Sequence, residues 1–228
     1  MTAAVVTGAS RGIGRATAVE LARRGVVLAL VGRPSAELEA TLALVREAGA
    51  PEAAAFACDL ADARAVEATA YAVISQFPGL GILVNNAGVA PRVAVEETRL
   101  DVWDETLAVN LRAPFLLTRA VLPTMRRNGR GRIVHVGSIS STLGTPRLSA
   151  YCASKWGLVG FMKSLAEELS GSGVTTVAVL PGSTATRMLE GSGMPPRMSA
   201  EEVAQTIVHY CLDASPAHNG AVIEMFGV

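Results

Sequence analysis

Charge of one sign is what this sequence most conspicuously lacks: 20 basic and 20 acidic side chains cancel to a formal net charge of zero. A balanced chain projects no broad field that would gather nucleic acid or anionic lipid, which leaves a small neutral-to-polar molecule as the expected partner. Cysteine is also scarce. Cys58, Cys152 and Cys211 are odd in number, widely separated and without metal-ligand spacing, so neither a disulfide framework nor a metal site is expected, and free thiols in a reducing compartment are. Long apolar runs are missing, since the longest, Val26 to Val31, falls far short of the roughly 20 residues of a membrane helix. No basic n-region, apolar h-region or cleavage site precedes the first apolar segment, and a cytoplasmic location is expected. Lysine is nearly absent as well: Lys155 and Lys163 are the only two in a chain that otherwise uses arginine.

Apolar residues, by contrast, make up 50% of the 228, enough to bury a core as one α/β domain over residues 1–228. Short β-branched runs alternate with longer amphipathic stretches, which predicts a doubly wound parallel sheet of about seven strands with helices on both faces. Strands are expected at Ala3–Thr7, Val26–Val31, Ala53–Ala57, Ile82–Asn85, Gly131–Gly137, Thr175–Leu180 and Ala221–Phe226, several of them apolar throughout, as strands buried on both faces are. Helices are expected at Arg15–Arg24, Ser35–Ala48, Ala63–Gln76, Thr98–Asn128, Tyr151–Ser170 and Ala200–Leu212, the last introduced by Ser199 with Glu202 three residues on. The GSGMPP stretch, Gly191–Pro196, reads as a loop.

The first strand ends in TGASRGIG, which puts Gly8, Gly12 and Gly14, with Ser10, Arg11 and Ile13 between them, in the turn that opens the first helix. Glycines permit a tight turn and close backbone approach, and the free N–H groups of a helix start attract a pyrophosphate. The second strand ends in Gly32-Arg33, without the carboxylate that binds a ribose 2′-hydroxyl in NAD sites. Arg33 and Arg11 can instead form a guanidinium pair suited to a 2′-phosphate, so NADP(H) is expected ahead of NAD(H).

Tyr151 and Lys155 stand four apart at a helix start and therefore share a face. A phenol with pKa about 10 is a poor acid/base at neutral pH, but a neighbouring ammonium favours its ionised form. His135, His209 and His218 are scattered, and structural roles are expected for them.

Taken together these motifs resemble the short-chain dehydrogenases/reductases, in particular the 3-oxoacyl reductase-like branch, over nearly the whole chain. TGASRGIG resembles the family's TGxxxGxG turn, NNAG at Asn85–Gly88 its fourth-strand motif, and YCASK its YxxxK element, with Ser138 thirteen residues before Tyr151 and Asn110 in LAVNLRAPF. The resemblance implies a catalytic tetrad of Asn110, Ser138, Tyr151 and Lys155, with Ser138 on the substrate carbonyl, Tyr151 transferring the proton, Lys155 lowering its pKa and holding the nicotinamide ribose, and Asn110 positioning a water. It further implies cofactor contacts from Asp59 and Leu60, from Asn86, Ala87 and Gly88, and from Pro181, Gly182, Thr184 and Thr186. The implied activity is hydride transfer between a nicotinamide and a ketone or alcohol, without a metal, in a homodimer or homotetramer. An NAD-dependent alcohol dehydrogenase working oxidatively and a nonenzymatic dinucleotide-binding sensor are the alternatives. Gly81 stands where the family often has Asp, Thr184 where it has an aliphatic residue, and the short Met188–Met198 segment suggests a small, open lid.

Overall fold

The computed structural model describes residues 2–227. Seven strands, β1 (Ala3–Thr7), β2 (Val27–Gly32), β3 (Ala53–Ala57), β4 (Leu80–Asn85), β5 (Gly131–Val136), β6 (Val174–Pro181) and β7 (Val222–Met225), form one sheet in the order β3-β2-β1-β4-β5-β6-β7. Every neighbouring pair is parallel. The helices are α1 (Gly12–Arg23), α2 (Ala36–Glu47), α3 (Ala63–Gln76), α4 (Leu100–Leu107), α5 (Ala113–Arg127), α6 (Ser149–Glu168) and α7 (Ala200–Leu212). This is a Rossmann-like doubly wound fold.

The two-residue period of each strand divides the core. Ala4 and Val6 of β1 point with Leu28, Leu30, Val134 and Val136 toward α1, α2 and α7. Ala3 and Val5 point with Ala29, Val31, Leu83 and Ile133 toward α3, α5 and α6. Caps set where several helices begin: the Ser35 side chain accepts from Leu38 N–H, Asp62 accepts from Arg64 and Ala65 N–H, and Ser199 forms a reciprocal capping box with Glu202.

Two expectations are corrected. The single helix over Thr98–Asn128 is α4 and α5 joined by a π-helical turn, Ala108–Arg112, with Asn110 at its centre. The helix carrying the YxxxK element starts at Ser149, so Tyr151 and Lys155 sit in its first two turns rather than at its edge. Gly81 also finds its reason here. Ala3 pairs with Leu80 while Ala4 pairs with Ile82, so Gly81 is the extra residue of a bulge, and a Cβ on it would meet Thr2 Cγ2 at 3.2 Å. Among the described residues no helix is long and apolar enough to cross a membrane.

Candidate active site

β1 runs to β2 on one side while β4 lies on its other side, so the crevice outside the carboxyl ends of β1 and β4 is the place where the chain reverses its winding. Thr7 holds this crevice in shape, its hydroxyl donating to Val84 O and accepting from Asn86 N–H (3.0 Å) and Ala87 N–H (3.1 Å). The Asn86 amide donates to Thr7 O at 2.8 Å, tying the NNAG segment to the glycine turn. Gly8 has φ 65°, and a Cβ on Gly14 would stand 2.2 Å from Gly8 O and 2.5 Å from Asn86 Nδ2. No side chain caps the start of α1. Its first N–H groups are thus available, and the turn forms the backbone cradle that a pyrophosphate fits. Arg15 braces the turn from below, donating to Ser10 O and to Thr41 Oγ1 (3.0 Å).

The expected Arg11–Arg33 pair takes a different form. Arg11 Nη1 lies 3.1 Å from Glu37 Oε2, and Glu37 Oε1 lies 2.8 Å from Arg187 Nη2. Burial opposes its ionisation, but the Arg187 and Arg11 guanidiniums hold the Glu37 carboxyl below its ordinary value. Arg33 is exposed and, among the described residues, joins no ion pair. A carboxylate therefore does reach this end of the groove, from the first turn of α2 and not from the end of β2. The sequence rule examined the strand end and passed over Glu37.

The four residues marked by the resemblance converge at the neighbouring strand ends. Tyr151 and Lys155 are both buried, and Lys155 Nζ lies 5.8 Å from the Tyr151 ring centre and donates to Val136 O at 2.7 Å. Ser138 caps the short turn after β5, accepting from Ser140 N–H at 3.1 Å, and its hydroxyl also neighbours the phenol. Asn110 donates to Val89 O (2.9 Å) and Ser154 Oγ (3.0 Å) and accepts from Val89 N–H (2.9 Å), while Ser154 Oγ–H donates to Tyr151 O at 2.7 Å. Ser154 thus links the π turn to the helix that carries Tyr151, a role unread in the sequence because an alcohol inside YCASK carries no signal of its own. Gly88 completes the wall, since a Cβ there would approach Asn110 Oδ1 at 3.3 Å and Lys155 Nζ at 3.6 Å.

Burial raises the Tyr151 phenol, and the hydrogen-bonding Ser138 hydroxyl and the charge of Arg92 act against it. Burial alone lowers Lys155, to about 8. The Asn110 side chain spends both donors and one acceptor on protein groups, which anchors the π turn.

The remaining cofactor candidates follow the carboxyl ends of β3 and β6. Asp59 is exposed and accepts from Ala61 N–H at 3.0 Å, and Leu60 is buried in the core face. Pro181 ends β6, and Gly182 N–H donates to Met225 O at 2.8 Å. Thr184 is buried with its hydroxyl donating to its own neighbour Gly182 O at 3.1 Å, so the extra hydroxyl is spent on the backbone. Thr186 lies over the glycine turn, its Cγ2 3.2 Å from where a Gly12 Cβ would be. The Met188–Met198 segment is irregular yet tied down by the Arg187–Glu37 pair, by Arg197 N–H to Ser183 O and by Ala185 N–H to Met198 O, both at 2.8 Å. It borders a hollow of about 500 Å³ lined by Thr186, Arg187, Leu189 and Met194. Cys58, Cys152 and Cys211 are unpaired thiols. Among the described residues no cluster of histidine, cysteine and carboxylate side chains could hold a metal.

A family model described as short chain dehydrogenase matches residues 2–195. The chain belongs to the short-chain dehydrogenase family. It is 38% identical over 239 residues to a D-threitol dehydrogenase of Mycolicibacterium smegmatis, covering 98% of this chain and 91% of the relative. It is 36% identical over 225 residues to a 3-oxoacyl-[acyl-carrier-protein] reductase of a Synechocystis strain, covering 94% and 91%. Its fold matches that of a metagenomic short-chain oxidoreductase in complex with NADP at a TM-score of 0.87, with 34% identity and coverage of 99% and 97%. This short-chain dehydrogenase is accordingly an NAD(P)-dependent oxidoreductase with a nicotinamide dinucleotide as its cofactor.

Proposed function

We propose that this short-chain dehydrogenase is an NADPH-dependent carbonyl reductase and alcohol dehydrogenase, one domain serving both cofactor and substrate, with Tyr151 as the acid/base. The observation that carries the reading is the burial of Tyr151 and Lys155 on one helix face, between Ser138 and the Asn110–Ser154 anchor, beside the glycine cradle. Gly8, Ser10, Arg11, Gly12, Ile13 and Gly14 with the start of α1 would hold the pyrophosphate, Asp59 and Leu60 the adenine, and Asn86, Ala87 and Gly88 the ribose side. Pro181, Gly182, Thr184 and Thr186 would border the carboxamide, through backbone at Thr184. The nicotinamide, when bound, supplies hydride to a carbonyl carbon or takes it from an alcohol carbon.

Ser138 Oγ–H donates to the substrate oxygen and stabilises the charge growing there. Tyr151 Oη–H then gives that oxygen its proton, or removes it in the oxidative direction. A pKa of about 8 keeps Lys155 Nζ an ammonium at neutral pH, so its charge stands ready as the phenol ionises. The three unpaired thiols support a reducing, cytoplasmic setting.

NADP(H) is preferred because Arg33 presents an uncompensated guanidinium at the end of β2. The Glu37–Arg11 pair favours the second reading, an NAD-dependent alcohol dehydrogenase, because Glu37 neutralises Arg11 and offers a carboxylate to a ribose hydroxyl. Fluorescence titration with NADPH and NADH decides between them. NADPH should bind at least tenfold tighter, and Arg33→Ala should abolish that preference; tighter NADH binding transfers the assignment to the second reading. Tyr151→Phe should retain dinucleotide binding and lose at least a thousandfold in turnover, and surviving turnover would remove Tyr151 from the chemistry.

A further inference from the structure

The segment after β4 carries a cation, Arg92, for which the chemistry above names no contact with the substrate. Val93 pairs with Leu148 in an isolated parallel bridge, and Val93 N–H donates to Arg147 O at 2.8 Å. Leu148 is the residue from which α6 starts, three before Tyr151. The staple therefore fixes Arg92 beside the first turn of the helix that bears the phenol. Arg92 is half-buried, and among the described residues it joins none of the six ion pairs and donates no side-chain hydrogen bond. Other arginines are engaged: Arg24 grips Asp213, and Arg15 donates to Ser10 O and Thr41. Arg92 is near enough for its charge to favour the Tyr151 phenolate, and no carboxylate is among the groups acting on that phenol.

A second observation lies at the same staple. Arg147 is the one non-glycine residue with a left-handed backbone among the described residues, at φ 61°. An L-residue there carries a steric strain that glycine would avoid. Arg147 is exposed and likewise joins no ion pair. Two guanidiniums that join no ion pair among the described residues thus sit at the staple before the helix that bears Tyr151, one of them on strained backbone, and backbone strain of this kind collects where ligands are clamped.

We propose that Arg92, aided by Arg147, recognises an oxyanion on the substrate, so that the carbonyl compound reduced here carries a carboxylate or a phosphate ester near its reacting carbon. The planar fork of a guanidinium donates two parallel hydrogen bonds to either anion, which would also orient the carbonyl toward Ser138 and Tyr151. The proposal rests on the reading of Tyr151 as proton donor and extends it to the substrate's charge.

The test uses the purified enzyme with NADPH and three matched ketones: a 4-oxocarboxylate, its methyl ester, and a phosphate monoester of a hydroxyketone. The wild type should show kcat/KM at least tenfold higher for one of the anions than for the ester, and the better anion names the group recognised. Arg92→Gln should raise KM for that anion at least tenfold while KM for the ester stays within twofold, Arg92→Lys should recover part of the loss, and Arg147→Gln should fall between. Equal or better efficiency on the ester in the wild type overturns the proposal. So does an Arg92→Gln variant that loses kcat equally on all three ketones with KM for both anions unchanged, because Arg92 would then act on the phenol alone. Turnover surviving in Tyr151→Phe would be a failure of the proton-donor reading, separable from any result at Arg92.

Discussion

Asn110 and His135 show how much a single side chain's fate depends on neighbours far away in sequence. Asn110 is fully buried, and three hydrogen bonds to Val89 and Ser154 let it pin the π turn and, through Ser154, the backbone of Tyr151. His135 is also fully buried, with Nδ1 at 3.3 Å from Asn85 Nδ2, its Nε2 without a partner and its ring edge-on to Phe161 at 5.6 Å. Burial, and then the nearby Lys155 charge, lower its pKa to about 3. An unfolded histidine titrates at about 6.5, so between those two values the unfolded chain binds a proton that the folded chain refuses, and stability falls as the pH falls. The contribution is about 1.4 kcal/mol per pH unit within that window. His135→Asn should flatten the fall in urea midpoint between pH 6.5 and 5, whereas parallel wild-type and variant curves would contradict this account. Its structural role was legible from its position inside a strand; the proton-linked penalty was not, because it arises from burial between α6 and the sheet.

At the scale of elements, the glycine turn is the most tightly specified piece of the molecule. A Cβ at Gly14 would overlap Gly8 O at 2.2 Å, backbone against backbone, with no flexible group to yield. Gly14→Ala should therefore destabilise the protein by about 2 kcal/mol or more and weaken dinucleotide binding at least tenfold, as chemical denaturation and fluorescence titration would show. An alanine variant with wild-type binding would mean that the turn relaxes freely. The turn was legible because its residues are contiguous and each glycine answers a local steric demand. The π turn was not. LAVNLRAPF has unbroken helical periodicity, and the extra residue per turn at Ala108–Arg112 is stabilised by bonds from Asn110 to Val89 and Ser154, which only the packed fold brings within reach. The bulge at Gly81 is a similar case, set by the register between β1 and β4.

For the whole molecule, α5 and α6 cover the sheet with one face and leave Phe115 42% and Trp156 53% exposed on the other. Large aromatic side chains exposed on these two helices suit a partner surface. A homodimer or homotetramer should appear in sedimentation equilibrium at micromolar concentration, and Trp156→Glu should lower the mass toward that of one chain; a monomeric wild type would contradict it. The layer architecture and the strands, to within a few residues, followed from the sequence alone, because hydrophobic periodicity reports which face of each element avoids water. The glycine turn and the positions of Asn110, Ser138, Tyr151 and Lys155 followed too, since the motifs that carry them are local. Tertiary structure alone decided which charges meet. Glu37 claims Arg11 and Arg187 across 26 and 150 residues of chain, while among the described residues Arg33 and Arg92 join no ion pair. No local pattern encodes such pairings, because the energy of a charge depends on what the fold places beside it and on how much water it removes.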